Sequence, residues 1–320
     1  MQDLIRLYDL RTQTLCSAPR GDFVLALGNF DGVHSAHRVL LHRAARLAKV
    51  WAKDKPTYSA AWFFDPPSSD FLGKSHGHLT TLQEKLSAFA ECGMDYAYLA
   101  DFSSLRSLSP DRFIDEVLKQ HARAVHIVCG YHFHFGQGGA GNALTLQRAF
   151  GQACVDVVPS ICLPIAGQET VISASSIRAS LAQGDVENAA RLLGRPYSLT
   201  APVTHGKQLG RVLGFPTINQ NAPEGKLLPK EGIYVTRCYV DGEPFGGVTN
   251  VGHRPTVDGI DSIPNCETHI LDLERDLYGK SVTVEFLHRL RDEQKFETVE
   301  LLKAAVTHDI EQARKYYKGQ

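Results

Sequence analysis

Residues 23–37 read Phe-Val-Leu-Ala-Leu-Gly-Asn-Phe-Asp-Gly-Val-His-Ser-Ala-His, and this stretch decides the fold of the first half of the chain. Its five leading apolar residues, followed by Gly28, are typical of a strand that is buried on both faces of a parallel sheet. After the glycine, apolar residues recur every three or four positions from Val33 to Leu47, which predicts an amphipathic helix. The stretch therefore predicts an α/β domain that binds ligands beyond the carboxyl ends of its strands.

Further apolar runs along the first 160 residues repeat this alternation. Four more strands are predicted, at Tyr58–Phe64, Tyr96–Leu99, Val125–Cys129 and Cys154–Val158. A helical pattern around Leu82–Cys92 lies between the first two of them. Because strand–helix–strand connections are right-handed crossovers, we expect a single parallel sheet.

The pattern changes from about residue 198. Predicted strands at Ile233–Val240, Glu267–Asp272 and Ser281–Phe286 have Gly- and Pro-rich connections and no helix between them. This arrangement indicates a small antiparallel barrel or sandwich, closed by a helix from Phe296 to Ala313. Residues 177–193 are helical in character and end before Pro196, so we place the domains at 1–187 and 188–320.

Composition excludes several classes of protein. The 320 residues include 34 Lys+Arg and 35 Asp+Glu, so there is no basic excess to favour nucleic acid or an anionic membrane. The longest apolar runs are too short to span a membrane, and charges interrupt the N-terminal segment where a signal peptide needs an apolar core. Seven scattered cysteines predict a cytoplasmic protein with reduced thiols rather than a disulfide scaffold or a zinc ribbon.

The loop that follows the first strand carries candidate chemistry. His34 and His37 lie three residues apart at a predicted helix start, where free amides and the helix dipole suit a phosphate. Two imidazoles there could donate hydrogen bonds to a departing pyrophosphate. Taken alone, the pair is as readily explained as two surface histidines, and a metal pair is the weaker alternative because no third ligand has a familiar spacing.

The whole decapeptide Gly28–His37 resembles the G-N-F-D-G-V-H-x-G-H signature of the bacterial bifunctional riboflavin kinase/FAD synthetases, within the HxGH nucleotidylyltransferases. The resemblance implies a Rossmann-like N-terminal domain that adenylylates FMN to FAD. It also implies a C-terminal β-barrel kinase with a terminal helix that phosphorylates riboflavin to FMN. ATP is then the co-substrate, Mg²⁺ the cofactor, and riboflavin and FMN the other ligands.

In the N-terminal half, the resemblance implies catalytic roles for His34 and His37 and phosphate contacts by Gly28 and Asp31. Ile172–Arg178 looks like the family's second nucleotide motif, in which Ser173 and Arg178 would bind phosphates. Without that context, Ser173 and Arg178 are better explained as a helix cap and an exposed helical arginine.

His205–Asn219 is similar to the riboflavin kinase signature. The residues it implies for ATP phosphates are Gly206, Lys207, Gly210, Arg211, Gly214, Thr217 and Asn219, the last two also as Mg²⁺ ligands. Glu267, at the head of an E-x-H-I-L-D strand, would be the kinase base. The alternative is an ordinary exposed strand glutamate, and the agreement of several motifs around Glu267 favours the base. Arg291 belongs to a stretch that helps to close the flavin pocket.

Departures from the family pattern lie in the N-terminal half. Ala36 replaces a glycine, Pro67 a histidine, and Ala174 a serine. His132 replaces an Asn or Asp and is assigned to the flavin, whereas Gly139 stands in place of an arginine. We therefore expect FAD formation to be slower than FMN formation, and Gly139→Arg to raise it.

Three alternatives remain open. The chain could be a riboflavin kinase only, with a weakened or repurposed N-terminal domain, or a flavin or nucleotide sensor without turnover. Residues 136–141 also satisfy G-x-G-x-x-G, which would indicate an NAD(P)-binding oxidoreductase. Against this last alternative, that motif usually belongs to the first strand–helix turn of its domain.

Overall fold

The computed structural model describes residues 6–9, 21–65, 77–165, 167–206, 210, 213–254 and 263–319. Its contacts divide the chain into two units, Met1–Ala174 and Ser175–Gln320. The described strands of the first unit are β1 (Arg6–Asp9), β2 (Asp22–Leu27), β3 (Thr57–Phe64), β4 (Tyr96–Ala100), β5 (Ala124–Gly130), β6 (His134–Phe135), β7 (Gly141–Asn142), β8 (Val155–Val158), β9 (Cys162–Ile165) and β10 (Gln168–Val171). The described helices are α1 (Ser35–Trp51), α2 (Leu82–Glu91), α3 (Phe102–Leu105), α4 (Pro110–Arg112), which continues as a π-helix at Phe113–His121, and α5 (Ala143–Phe150).

The first unit is built on a six-stranded parallel sheet in the order β1-β4-β3-β2-β5-β8. The five predicted strands are present, and the parallel sheet is confirmed. The edge strand β1 was not predicted, because its four residues include Arg6 and Asp9 and form no apolar run.

Alternate residues of β2 pack into two different apolar layers. Phe23, Leu25 and Leu27 pack in a cluster with residues of the π-helix. Val24 and Ala26 pack in a second cluster with the apolar face of α1. Since both faces of the central strand are buried, its carboxyl end is held rigidly where the Gly28 loop begins.

The second unit begins one residue into α6 (Ala174–Gln183), and α7 (Val186–Leu193) follows. Its strands are β11 (Tyr197–Pro202), β12 (Ile218–Asn221), β13 (Gly232–Val240), β14 (Glu243–Arg254), β15 (Ile263–Ile270) and β16 (Ser281–Arg291), and α8 (Val299–Lys318) closes the unit. The strands are antiparallel, in the order β11-β16-β13-β14-β15-β12.

This sheet closes almost completely on itself. A bridge between Thr204 and Asn219 joins its two ends. The buried Gln220 amide of β12 donates to the carbonyls of Ala201 and Val282, at 2.7 and 2.8 Å. The antiparallel barrel with a terminal helix is thus confirmed.

Three details differ from the sequence-based expectation. The helical region at 177–193 is two helices, separated at Gly184, whose φ of +79° ends the first one. Strands β12 and β14 were missed, because Ile-Asn-Gln-Asn is polar and β14 contains three glycines. The strand predicted to end at Asp272 ends at Ile270. The domain ranges 1–187 and 188–320 stay a prediction.

Candidate functional sites

The loop after β2 is a tight, strained turn. A 3₁₀ turn at Asp31–Val33 connects β2 to α1, and Phe30, Gly32 and Val33 all have positive φ, of 49°, 78° and 40°. Non-glycine residues in this region each cost of order 1–3 kcal/mol and cluster at functional sites. Hydrogen bonds with the neighbouring segment around Thr80 hold the turn in this conformation.

Asp31 supplies the central contacts of that network. Its carboxylate is 4% exposed and accepts hydrogen bonds from the backbone N–H groups of Leu79 and Thr80, at 2.9 and 3.3 Å. The Gly32 N–H donates to Thr80 Oγ1 at 3.0 Å. Asp31 therefore holds the loop in shape, and its predicted phosphate contact stays a prediction.

His34 and His37 form a stacked pair, with ring centroids 3.6 Å apart and planes at 15°. His34 caps α1, and its Nδ1 accepts the His37 backbone N–H at 3.3 Å, so the proton of the neutral ring lies on Nε2. His37 Nδ1 is buried and has no hydrogen-bond partner among the described residues. This orphaned nitrogen fits a site that is completed by a ligand.

The His37 ring is uncharged near neutral pH. Burial lowers its pKa well below the usual value, and the nearby His34 and Lys85 lower it further. Lys85 of α2, which sequence reasoning missed, is 1% exposed and pairs with Asp65 at 3.2 Å. Among the described residues, no group of three His, Cys, Asp or Glu could hold a metal ion.

A cavity of about 840 Å³ lies beside this loop, at the carboxyl edge of the sheet. Gly28 and Asn29 form one part of it. Aromatic residues form much of the remaining wall: Trp62, Phe64, Phe102, Phe113, Phe133 and Phe135. The Trp62 indole N–H is buried without a hydrogen-bond partner in the described chain, and a ligand acceptor would satisfy it. His132, assigned to the flavin from sequence, lines the cavity together with His134 and Gly139.

The remaining N-terminal candidates are placed as follows. Ser173 precedes α6 and Arg178 lies within it, and both are half-buried. The glycine-rich run 136–141 lies between β6 and β7, which are antiparallel and two residues long. It is therefore no strand–helix turn, which removes the support for a dinucleotide-binding site.

In the second unit, Glu267 lies in the middle of β15 and not at the head of a strand as predicted, because β15 already begins at Ile263. Its cross-strand neighbours are Asn219 of β12 on one side and Asn250 of β14 on the other. Paired residues project from the same face of a sheet, so a carboxylate is flanked by two amides.

Two cavities of the second unit share Thr217. One, of about 240 Å³, is lined by Thr217, Glu267, Asn250, Arg291 and residues of α8. The other, of about 500 Å³, is lined by Thr217, Ile218 and the 274–278 segment. Thr217 thus lies between a cavity that holds a carboxylate and a second, separate cavity.

The glycines before Thr217 differ in their surroundings and backbone conformation. A Cβ on Gly210 would lie 2.5 Å from the Phe215 carbonyl oxygen, so the loop can close only over a glycine. Gly214 has a φ of +87° and is exposed, and Gly206 is half-buried. Lys207 and Arg211 lie outside the described residues, as does Pro67, and their roles stay predictions.

Comparisons with known proteins agree with this geometry. A FAD synthetase family model matches residues 17–175, and a riboflavin kinase family model matches residues 193–317. The bifunctional riboflavin kinase/FMN adenylyltransferase of Escherichia coli K12 is 35% identical over 307 residues, which cover 95% of each chain. That of Bacillus subtilis 168 is 32% identical over 302 residues, or 92% of this chain and 93% of the relative. The chain belongs to the bifunctional riboflavin kinase/FMN adenylyltransferase family.

A solved structure covers almost the whole chain. The crystal structure of a protein from Streptococcus pneumoniae, described as a macrolide-efflux protein, matches with a TM-score of 0.83 at 28% identity, over 97% of this chain and 99% of that one. No described helix is long and apolar enough to cross a membrane. The matches to the family models and to the relatives confirm the family resemblance that was inferred from residues 28–37 and 205–219.

Proposed function

We propose that this family member makes both flavin cofactors. The second unit transfers the γ-phosphoryl group of ATP to riboflavin, which yields FMN and ADP. The first unit transfers the AMP group of ATP to FMN, which yields FAD and pyrophosphate. The observation that carries the kinase assignment is Thr217, which borders both the cavity that contains Glu267 and a second cavity large enough for a nucleotide.

In the kinase reaction, Glu267 is the base. Its carboxylate accepts the proton of the riboflavin primary hydroxyl while the hydroxyl oxygen attacks the γ-phosphorus, and the bond from that phosphorus to the β–γ bridging oxygen breaks to release ADP. Asn219 and Asn250 are the cross-strand neighbours of Glu267. The Thr217 hydroxyl and the Asn219 amide oxygen are hard donors that fit Mg²⁺, which when bound would neutralise charge on the phosphates.

In the adenylyl transfer, the histidine pair acts by donating ring N–H groups to phosphate oxygens. His34 holds its proton on Nε2, because Nδ1 accepts the His37 backbone N–H. Such a proton can be donated to a phosphate oxygen as charge develops on the departing pyrophosphate. The start of α1 adds the positive end of a 17-residue helix at the same place. The aromatic walls of the 840 Å³ cavity suit the flavin ring.

We further propose that the enzyme works in the cytoplasm on small molecules, without nucleic acid or membrane. Seven scattered cysteines and the balance of 34 basic against 35 acidic residues support this assignment.

Incubation of the full chain with Mg²⁺, ATP and either riboflavin or FMN tests the proposal, with FMN and FAD resolved by chromatography. Both products are expected. If riboflavin is converted to FMN but supplied FMN is not converted to FAD, the kinase-only alternative is favoured. Flavin binding without either product would favour the sensor. His34→Ala should remove FAD formation and leave FMN formation unchanged, because only the first unit holds that histidine.

A further inference from the structure

The described lining of the 840 Å³ cavity in the first unit contains basic side chains but no acidic ones. None of its described lining residues is Asp or Glu. Arg106 is the one described lining residue with a permanent positive charge, and His132 and His134 are the titratable ones. A cavity with aromatic walls and a cation without an acid suits a ligand that has a planar apolar part and an anionic part.

The Arg106 side chain is not engaged within the part of the chain that the structure describes. The residue follows α3, and its backbone N–H caps that helix by donating to the Phe102 carbonyl at 2.9 Å. Its side chain is exposed and makes no hydrogen bond or ion pair with any described residue. Arg112, six positions later, is instead paired with Glu116 at 2.7 Å. The Arg106 guanidinium therefore keeps its donors for a ligand.

The segment that carries Arg106 is joined to the glycine-rich loop in which the family arginine is missing. The Gln137 N–H donates to the Leu108 carbonyl at 2.7 Å. A Cβ on Gly136 would lie 3.0 Å from the Pro110 nitrogen, so the two segments are in contact. Gly138 has open space where a side chain would be, so nothing there competes with a ligand.

We propose that Arg106 binds a phosphate group in this cavity and so supplies the positive charge that Gly139 cannot. The phosphate is that of FMN or one of those of ATP, and the inference rests on the adenylyl-transfer function proposed above. A guanidinium presents five N–H donors in a planar fork that matches two phosphate oxygens. The arginine thus reaches the site from the α3 segment instead of from the glycine-rich loop.

The test compares Arg106→Ala with the control Arg112→Ala in the full chain. FAD formation is measured while FMN and ATP are varied separately, and FMN formation from riboflavin is measured on the same preparation. Loss of one charge-assisted hydrogen bond should lower kcat/KM for FAD formation about tenfold to a hundredfold in Arg106→Ala. Kinase turnover should not change in that variant, and Arg112→Ala should resemble wild type in both reactions.

The substrate whose KM rises identifies the phosphate: FMN for the flavin phosphate, ATP for the polyphosphate. Values of kcat and both KM within twofold of wild type would overturn the role of Arg106. If the wild type forms no FAD, the proposed function of the first unit fails on its own. Calorimetric titration with FMN and with pyrophosphate then tests Arg106 directly, and equal affinities in wild type and Arg106→Ala would refute it.

Discussion

Arg291 at the end of β16 and Asp309 on α8 form a bidentate ion pair, with Nε 2.9 Å from Oδ1 and Nη2 2.7 Å from Oδ2. Both residues line the 240 Å³ cavity that contains Glu267. The pair therefore fastens the terminal helix to the barrel at the wall of the proposed flavin site. Because the positive charge of Arg291 is neutralised there, we infer that it shapes the wall, and its direct contact with flavin stays a prediction.

The two halves of this pair should respond differently to substitution. The Asp309 side chain is 4% exposed and that of Arg291 is 23% exposed, so only the arginine can reach water when its partner is lost. Arg291→Ala should cost about 3 kcal/mol, because it leaves a buried charge unpaired. Asp309→Asn should cost roughly 1–2 kcal/mol. Urea unfolding of both full-length variants measures their free energies of unfolding. A larger loss in Asp309→Asn than in Arg291→Ala would contradict the prediction.

Glu267→Gln should leave the fold and riboflavin binding intact but lower FMN formation about 10²- to 10⁴-fold, because it removes the base with little change in volume. The control is Glu243→Gln, an exposed glutamate at the start of β14, which should keep full turnover. Turnover and flavin affinity are measured on the same samples. Near-normal turnover in Glu267→Gln would show that another group takes the proton.

Much of the fold and part of the site could be predicted from the sequence, for physical reasons. Residues 23–27 form an apolar run because β2 is buried on both faces, so the strand and its carboxyl end could be located. The close spacing of His34 and His37 likewise predicted their proximity. By contrast, β12 is a polar strand whose Gln220 amide donates hydrogen bonds that close the barrel. No apolar pattern in the sequence reveals such a strand.

The residues that were missed depend on contacts far apart in the sequence. Lys85 and Asp65 are ordinary charged residues until the fold buries the lysine. Asp309 looks like any polar residue of an amphipathic helix, and only the docking of α8 gives it Arg291 as a partner. The motif at Asp31 predicts a phosphate contact, but no local pattern could reveal that its carboxylate accepts hydrogen bonds from Leu79 and Thr80.

A fragment that starts at Ser175 should fold and phosphorylate riboflavin better than one that starts near Asp185, close to the boundary that the sequence predicts. The shorter fragment loses α6, whose Leu181 carbonyl accepts the Lys230 N–H at 2.8 Å and whose Leu181 side chain is fully buried. Thermal unfolding and FMN formation of the two fragments give the comparison. Inactivity of both fragments beside an active full chain would argue against independent catalytic domains.

The buried histidine pair predicts that acid weakens the first unit. The pKa of folded His37 is lowered by burial, whereas the unfolded residue titrates near about 6.5. Between these two values the unfolded chain binds more protons, so stability is lost as the pH falls below about 6.5. His37→Gln should reduce this loss, measured as the unfolding midpoint against pH. Burial also lowers the pKa of His126, which therefore contributes to the pH dependence of stability in both wild type and His37→Gln. Only the difference between the two proteins reports on His37.

Gly139→Arg tests whether one cation in the cavity is enough. Gly139 has a φ of +69°, so an arginine there adopts a left-handed conformation that costs roughly 1–2 kcal/mol of stability. If Arg106 already binds the phosphate, the substitution should raise FAD formation little in the wild-type background. In Arg106→Ala it should restore activity about tenfold, because the new guanidinium then replaces the permanent charge that was lost. Rates of FAD formation in wild type, both single variants and the double variant complete the cycle, and Gly139→Gln, which has the same backbone strain but no charge, is the control. Equal gains in both backgrounds would mean that the two positions act independently and that Arg106 does not compensate for Gly139.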